Sequence, residues 1–173
     1  KINDIEEMIK DNPYVGRGIV IGKTADGKKA CAAYFIMGRS ENSRNRVFVK
    51  KNDELFTEPF DASKVQDPSL IIYAAVRQYQ NQLIVTNGDQ TDTIYDAIKL
   101  GGTFESALAT RQYEDDAPNF TPRISGIHYK NAQPALYKLS ILKSRNNCED
   151  AGCERATFEF EKALPGLGHF IST

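Results

Sequence analysis

Strand-like and helix-like patterns follow one another in blocks along the chain and predict the order of its elements. Residues 2–10 repeat apolar side chains at helical spacing until Asn12-Pro13 ends the run. Short β-branched and aromatic runs follow, joined by turn signals such as Asp26-Gly27. No element is predicted in the variable, acidic stretch from 51 to 68. The strands predicted in this half of the chain are residues 17–22, 29–37, 46–50, 70–79 and 82–86.

Two helices are predicted next, separated by Gly101-Gly102, which is a helix C-terminal signal. The first covers residues 90–100. Thr103 is expected to cap the second helix, and Ser106 stands where a full capping box would have Glu or Gln, so an N-cap alone is predicted. Further strands are predicted over residues 123–129, 135–142, 155–160 and 169–172, the first two joined by a turn at 130–134.

This order of hairpins, a helix pair and further hairpins predicts an α+β fold in which antiparallel sheets pack face to face with helices outside. An alternating βαβ plan is excluded. The 173 residues suit a single domain over 1–173, with residues 1–13 as a helical N-terminal extension. The last predicted strand runs to the end of the chain, which leaves open whether the domain is complete at its C-terminal end.

Composition and charge narrow the classes of protein that fit. Hydrophobic residues make up 40% and charged residues 26%, as in ordinary globular domains. The 22 basic and 23 acidic residues give a net charge of −1, which argues against a general nucleic-acid binder or a membrane-surface protein. No apolar run approaches the ~20 residues that cross a bilayer, and no signal segment opens the chain. The cytoplasm is therefore the expected compartment.

The three cysteines do not form the pattern of a secreted disulfide framework. Cys31 lies in an apolar run and is predicted to be a buried thiol. Cys148 and Cys153 flank a four-residue loop, and this spacing leaves open a zinc site, a reversible disulfide or two unrelated thiols. No His, Cys or carboxylate constellation has clear metal-ligand spacing, so no metal and no cofactor are expected.

Two segments are more polar than folding requires. Residues 38–46 contain three arginines, whose guanidinium groups bind phosphate oxygens bidentately. Because the whole chain is nearly neutral, this local patch suits one small anion better than a nucleic acid, with a solvated loop as the alternative. Residues 86–92 place amides and carboxylates where a strand meets a helix. They indicate either hydrogen bonding to a ligand or helix capping by Asp89 or Thr91.

Two further features complete the candidate chemistry. Residues 113–123 combine three consecutive acids, two prolines and an arginine, and predict either a rigid loop with convergent charges or a helix exit held by prolines. Tyr73 and Arg77 are four residues apart in one predicted strand, so they are expected on the same face of its sheet.

Together these segments resemble the archaeal-type IMP cyclohydrolase family, in order over residues 14–125 and more faintly over 166–173. The two most specific stretches are Asn-Gly-x-Gln-Thr-Asp at 87–92 and Asn-x-Thr-Pro-Arg-Ile at 119–124. The other residues that carry the resemblance are Tyr14-Val15-Gly16-Arg17-Gly18, Ala33-Tyr34, Gly38-Arg39-Ser40, Asn45-Arg46, Tyr73, Val85-Thr86 and Tyr113-Glu114.

The resemblance implies a fold similar to the N-terminal-nucleophile hydrolases, a four-layer αββα sandwich. It does not imply their chemistry, because thirteen residues precede Tyr14 and no Ser, Thr or Cys is expected to be a free N-terminal nucleophile there. The loop at 39–46 looks longer than the family version, which leaves the register of Arg44 against Arg46 open.

The implied reaction is purine biosynthetic ring closure of 5-formamidoimidazole-4-carboxamide ribonucleotide to inosine monophosphate plus water. The chain would then be a cyclohydrolase, a hydrolase acting on a cyclic amidine C–N bond without a cofactor. Its expected partner is the small purine ribonucleotide, with neither nucleic acid nor membrane, and a homo-oligomer is compatible with the sequence. The alternatives are a catalytically inactive purine-nucleotide-binding regulatory module and an amide hydrolase of the related fold.

The resemblance also implies roles for particular residues. The candidate catalytic residues are Tyr73 as proton donor to the formyl oxygen, Glu114 to orient or deprotonate the carboxamide, and Arg123 to stabilise oxyanion charge or lower the pKa of Tyr73. Arg39 and Arg46, with Arg44 as the substitute, would bind the phosphate or the substrate carbonyl, and Asn87 and Asp92 the ribose or base edges. The full candidate substrate-binding set is Arg39, Ser40, Arg44, Arg46, Asn87, Gly88, Asp92 and Asn119.

Overall fold

The computed structural model describes residues 2–65, 68, 71–131, 135–148 and 151–173. Its strands are β1 Arg17–Lys23, β2 Ala30–Ile36, β3 Arg46–Lys51, β4 Glu54–Pro59, β5 Tyr73–Tyr79, β6 Gln82–Thr86, β7 Arg123–Tyr129, β8 Tyr137–Ser144, β9 Cys153–Phe160 and β10 Gly168–Ser172. Its α-helices are α1 Ile5–Ile9, α2 Glu41–Arg44, α3 Gln90–Lys99 and α4 Phe104–Ala109, with short 3-10 segments at Ala62–Lys64 and Arg145–Asn147.

Two antiparallel sheets pack face to face, as the sequence predicts. Sheet A has the strand order β10-β1-β2, and sheet B runs from β3 to β9 in sequence order. Ile19 and Ile21 of β1 are buried against Val85 and Ile124 of sheet B. The sheets approach so closely that a Cβ on Gly126 would lie 2.6 Å from the Cδ1 atom of Ile21. Burial of these β-branched side chains between the sheets is a main source of stability.

Helices α3 and α4 form a layer on the other face of sheet B. Ile94 and Ile98, one turn apart on α3, pack with Phe104 of α4 on the strand residues Ile84 and Ile127. The helix cap differs from the sequence expectation in one detail. The Ser106 hydroxyl accepts a hydrogen bond from the Thr103 backbone at 2.9 Å, so serine completes the capping box that was predicted only in part.

The described residues therefore form three layers, sheet A, sheet B and one helical layer, rather than the four layers that were expected. The α+β class and the two antiparallel sheets are confirmed. The fourth layer would need helices with an apolar face on the outer side of sheet A. Within the described residues, neither α1 nor α2 buries a side chain, so neither can serve as that layer. Among the same residues, no helix is long and apolar enough to span a membrane.

One strand was missed by the sequence analysis. Residues Glu54–Pro59 form β4, which pairs with β3 through a tight connection in which Asn52 adopts a φ of 56°. Asparagine tolerates this left-handed conformation better than most residues, but the acidic stretch itself shows no strand periodicity. Its place in the sheet comes from pairing with strands on both sides. The other predicted elements lie within three residues of their predicted ends.

A β-bulge separates Tyr73 from Arg77, which were expected on one face of the sheet. Phe56 pairs with Ala74 and Leu55 with Val76, so one residue of β5 has no partner between them. The extra residue reverses the alternation of side chains. Tyr73 consequently faces sheet A, whereas Arg77 faces helix α3, and the single-face prediction is wrong.

Cys31 was expected to be buried and is exposed. It follows the outward alternation of β2, and no helical layer within the described residues covers that face of sheet A. Cys148 and Cys153 are free thiols in the structure. Several predicted positions lie outside the described residues: Leu70 at the start of a predicted strand, residues 132–134 of the predicted turn, and residues 149–150 between the two cysteines.

Candidate active site

The first strand begins with a charged residue on its core face. Arg17 shares the face of β1 with Ile19 and Ile21, and it is only 9% exposed. Its Nη1 atom donates to the Glu114 carboxylate at 2.5 Å and to the carbonyl of Asn87 at 3.4 Å. Burial alone would lower the pKa of Arg17, but the Glu114 charge raises it above its ordinary value. A buried charge is tolerated when it is paired in this way.

Glu114 lies in the loop that follows α4 and is 5% exposed. Its backbone N–H donates to the carbonyl of Thr121 at 2.9 Å, which closes the loop on itself and fixes the carboxylate. Burial raises the pKa of Glu114, although the positive charges of Arg17 and Arg123 act to lower it. Glu114 is therefore a carboxyl with a greater proton affinity than an ordinary glutamate, and it lies beside the permanently charged Arg17.

Two tyrosines meet from opposite sheets in the same region. The hydroxyl of Tyr34 on β2 lies 2.7 Å from the hydroxyl of Tyr73 on β5. Tyr73 is fixed through its backbone, because its N–H donates to the Thr57 hydroxyl, which in turn donates to the Tyr73 carbonyl. Burial raises the pKa of both phenols, so both keep their protons at neutral pH.

Arg46, at the start of β3, supplies the second guanidinium near these tyrosines. Its Nε atom donates to the Ser43 carbonyl at 2.7 Å, whereas Nη1 and Nη2 are buried without a hydrogen-bond partner among the described residues. Burial lowers the pKa of Arg46, and the Tyr73 phenol is the largest influence that raises it. Buried donors without partners are rare in folded proteins, so these two nitrogens are available to an acceptor such as a ligand oxygen or an ordered water. We call Arg17, Tyr34, Arg46, Tyr73 and Glu114 the buried cluster.

A cavity of about 260 Å³ adjoins the buried cluster. Arg17 and Glu114 line it, but Tyr73 and Arg46 are not among its lining residues. The two loops in which the sequence predicted ligand-binding residues, 38–46 and 113–123, meet at the rim of this cavity. The Nη1 atom of Arg39 donates to the Asn119 side chain at 2.5 Å. The other lining residues are Tyr14, Gly38, Ser40, Asn42, Ser43, Ile71, Asp116, Ala117 and Thr121.

The Asn87 side chain holds two loops together. Its Oδ1 atom accepts from the Ile124 N–H and from the Gln90 side chain, both at 2.9 Å, and its Nδ2 atom donates to the Pro122 carbonyl. Asn87 is fully buried. These bonds give it a positioning role, in which it fixes the strand start that carries Arg123.

Arg123 is held by the start of helix α3. Its Nη1 atom donates to Asp89 at 2.7 Å and to the Gln90 side chain at 2.8 Å. Asp89 makes no helix-capping bond, because its carboxylate binds Arg123 and Arg111 instead. A Cβ on Gly88 would lie 2.7 Å from the Arg123 guanidinium and 3.5 Å from the Glu114 carboxylate. Glycine therefore lets both charged groups approach the backbone there.

Three residues predicted to bind substrate have other engagements in the structure. Asp92 lies on the helical side of sheet B and pairs with Arg77 at 2.8 Å. The Nε atom of Arg44 donates to the Gly38 carbonyl within its own loop. The Ser40 hydroxyl caps the single turn of α2, although Ser40 also lines the cavity. Asp92 and Arg44 are not among the cavity-lining residues.

The positive charges that act on Tyr73 are those of Arg17 and Arg46, whereas Arg123 was expected to lower the pKa of that tyrosine. Sequence reasoning did not assign Arg17 or Tyr34 to the site, although both lie in motifs that carried the resemblance. A signal was present for Arg17, which occupies a core-face position of an otherwise apolar strand. Among the described residues, no group of three or more His, Cys, Asp or Glu side chains could hold a metal ion.

The fold and the site define an α+β sandwich that buries, wholly or in part, a paired acid, two phenols and two guanidinium groups beside an open cavity. A family model described as IMP cyclohydrolase-like protein matches residues 14–173. The chain belongs to this IMP cyclohydrolase-like family.

Relatives from several archaea carry the name IMP cyclohydrolase. The protein of Methanococcus aeolicus is 36% identical over 122 residues, which are 68% of this chain and 59% of the relative. That of Methanopyrus kandleri is 36% identical over 118 residues, covering 66% and 58% of the two chains. That of Methanocaldococcus jannaschii is 33% identical over 122 residues, covering 68% and 58%. This chain thus spans about three fifths of the length of these relatives.

Proposed function

We propose that this chain closes the six-membered ring of 5-formamidoimidazole-4-carboxamide ribonucleotide to give inosine monophosphate and water. The observation that carries the proposal is the buried cluster, in which the Arg17–Glu114 pair and the Tyr34–Tyr73 hydroxyl pair lie together. A carboxyl and a phenol held beside two guanidinium groups supply the proton transfers that this ring closure needs. Membership in the IMP cyclohydrolase-like family supports the same reaction.

The chemistry assigns the proton transfers of the reaction to two residues. The carboxamide nitrogen attacks the formyl carbon, forming the new C–N bond. Tyr73 gives its proton to the formyl oxygen, and Glu114 accepts a proton from the carboxamide nitrogen. The hydroxyl on the resulting tetrahedral carbon then leaves as water with the proton that Glu114 holds, and the Tyr73 phenolate takes the proton of the former formamide nitrogen. The C=N bond that forms completes the purine ring and returns both residues to their starting states. No step uses a metal or a redox cofactor.

Two of the three arginines predicted to bind substrate, Arg39 and Arg46, take separate tasks. Arg39 is exposed at the rim of the cavity, where a phosphate dianion keeps part of its hydration. The buried Nη atoms of Arg46 suit a neutral carbonyl oxygen that gains charge during the reaction. We therefore assign Arg39 and Asn119 to the phosphate end, and Arg46 to the substrate carbonyl. Arg123, held beside Glu114, supports the same developing charge.

The proposal also covers the fold, which we propose to be similar to that of the N-terminal-nucleophile hydrolases. Two antiparallel sheets packed face to face, with helices on an outer face, support this similarity. The site works without a terminal nucleophile, because Tyr73 and Glu114 are internal residues. Amide hydrolysis of the parent kind is accordingly not part of the proposal.

The test is a turnover assay on the formyl nucleotide, in which the appearance of inosine monophosphate is followed by absorbance and confirmed by chromatography. We expect product at a rate proportional to protein concentration. Binding of the nucleotide without turnover would instead identify a regulatory module. If the protein bound neither the formyl nucleotide nor inosine monophosphate, both the enzyme and the regulatory module would be contradicted.

The phosphate assignment predicts a strong preference for nucleotides. Inosine monophosphate should bind at least about tenfold more tightly than inosine, because charged hydrogen bonds to the phosphate are lost with the nucleoside. Arg39→Ala should remove most of this preference while leaving inosine affinity unchanged, as measured by titration calorimetry. Arg145→Ala is the matched control, since it removes an exposed arginine that pairs only with Glu154 in the described region. Equal binding of nucleoside and nucleotide by the wild type would refute the assignment.

A further inference from the structure

Two uncharged side chains hold the guanidinium of Arg39 at the rim of the cavity. Its Nη1 atom donates to the Asn119 side chain, and its Cζ atom lies over the Tyr14 ring, 4.8 Å from the ring centroid. A cation this close to an aromatic ring is attracted by the ring quadrupole. Tyr14 comes from the segment before β1, so three segments that are distant in the sequence meet at this point of the rim.

Neither of these contacts neutralises the charge of Arg39. Among the residues that the structure describes, Arg39 belongs to no ion pair, whereas Arg17, Arg77 and Arg123 each pair with a carboxylate. An aromatic ring and a side-chain amide hold the guanidinium in place without offsetting its positive charge. Arg39 therefore keeps its full charge for an anionic ligand.

The acidic side chains that line the cavity are engaged elsewhere. Glu114 pairs with Arg17, and the Asp116 carboxylate accepts hydrogen bonds from the backbone and the hydroxyl of Thr121. Within the described part of the chain, Arg39 makes its hydrogen bond through Nη1 alone. Its Nε and Nη2 atoms form a second edge of the guanidinium, and such an edge can bind two phosphate oxygens at once.

We propose that Tyr14 is a positioning residue that orders Arg39 before the ligand arrives, so that the edge formed by Nε and Nη2 is ready for the phosphate. The inference rests on the proposed function for the phosphate and adds the residue that orders its arginine. An exposed arginine without this support loses rotamer freedom when it binds, which weakens the binding. Tyr14 is itself fixed, because its backbone N–H donates to the Asn12 side chain at 2.9 Å.

Titration calorimetry of the full chain with inosine monophosphate and with inosine tests this role. Tyr14→Leu removes the aromatic ring and should weaken the binding of inosine monophosphate by about two- to tenfold, the effect of ordering one long side chain on binding. The affinity for inosine should not change, because inosine has no phosphate. Tyr14→Phe keeps the ring, so its affinity for the nucleotide should be close to that of the wild type.

The matched control is Tyr95→Leu. The Cζ atom of Arg77 lies 4.0 Å from the centroid of the Tyr95 ring, so this variant removes the same type of contact on the helical side of sheet B. Both affinities should stay at their wild-type values. Circular dichroism melting of each variant establishes that the titrated protein is folded.

A variant of nearly unchanged shape tests the ring quadrupole separately from the packing of the ring. Pentafluorophenylalanine at position 14 keeps the size of the phenylalanine ring and reverses its quadrupole, so that the ring no longer attracts a cation. It should weaken the binding of inosine monophosphate relative to Tyr14→Phe and leave inosine binding unchanged. Equal nucleotide affinities for these two proteins would contradict the role of the Tyr14 ring.

A double-mutant cycle shows whether Tyr14 acts through Arg39. In the Arg39→Ala background, Tyr14→Leu should have no further effect on nucleotide affinity, because the arginine that it orders is gone. A further loss in that background, or an equal loss for inosine and inosine monophosphate, would show that Tyr14 contacts the ligand directly and would overturn the proposal. An unchanged nucleotide affinity in Tyr14→Leu would overturn it as well.

The outcomes separate this inference from the proposed function. If the wild type binds the nucleotide without turnover, the ring closure fails, and the calorimetry still decides the role of Tyr14. If Arg39→Ala loses the preference for the nucleotide and Tyr14→Leu keeps it, only the positioning role is overturned. Equal binding of inosine and inosine monophosphate by the wild type removes the phosphate assignment and this inference together.

Discussion

Tyr73→Phe is expected to lower kcat by about 100-fold or more while leaving the affinity for inosine monophosphate nearly unchanged. The substitution keeps the ring that packs between the sheets and removes only the hydroxyl that meets Tyr34. Because burial raises the pKa of this phenol, it is protonated at neutral pH and available as a donor. Steady-state kinetics on the formyl nucleotide and calorimetry with the product measure the two quantities separately.

Tyr79→Phe is the matched control for this variant, since it lies at the far end of the same strand and its ring packs on Tyr95. It should retain the wild-type kcat. If Tyr73→Phe also turned over at the wild-type rate, the proton would come from another source, and Tyr73 would be a structural residue of the cluster.

Glu114→Gln is expected to lower kcat by about 100-fold to 10,000-fold, the range typical for loss of a general base. The change keeps the shape of the side chain but cannot accept the carboxamide proton. It also leaves Arg17 without its paired charge, so the melting temperature should be measured alongside the rate. Glu105→Gln, which neutralises a carboxylate paired with Lys138 on the helical side of sheet B, is the matched control.

The pH profile gives an independent check on Glu114. Burial raises the pKa of this carboxyl, so it gains its proton at a higher pH than an ordinary glutamate as the solution is acidified. If the ionised form is the working base, kcat/KM falls as the pH decreases through that raised pKa. The acid limb of the profile should be absent from the residual activity of Glu114→Gln. An acid limb that persists unchanged in this variant would assign it to a different group.

Periodicity predicted most of the secondary structure, because strands and helices here bury one face and follow simple repeats. It failed at β4, which has no clear alternation and is held by pairing with both neighbours. It also failed at Tyr73 and Arg77, since a bulge inserts one residue and reverses the faces of the strand. The predicted fourth layer is absent from the described residues, because α1 and α2 bury no side chains.

The candidate site was predicted in part. The types of residue in the loops at 38–46 and 113–123 predicted a ligand site. Arg39 and Asn119, one from each loop, meet at the cavity rim. Asn87 was expected to bind a ligand, but its side chain is engaged in holding the Arg123 strand start. Asp92 lies on the helical side of sheet B instead, where its carboxylate accepts a hydrogen bond from Arg77. Local polarity identifies such residues, but it does not indicate which side of the sheet their side chains lie on.

The sequence by itself determined the class of fold, the near-neutral charge, the position of most strands and helices, and the loops that carry polar chemistry. These properties depend on neighbours along the chain, so a single sequence contains them. Only the tertiary structure decided that Arg17 pairs with Glu114, 97 residues away, and that Tyr34 meets Tyr73 across the two sheets. Such pairings follow from sheet packing and from a bulge that turns one strand, because burial forces distant polar groups to satisfy one another.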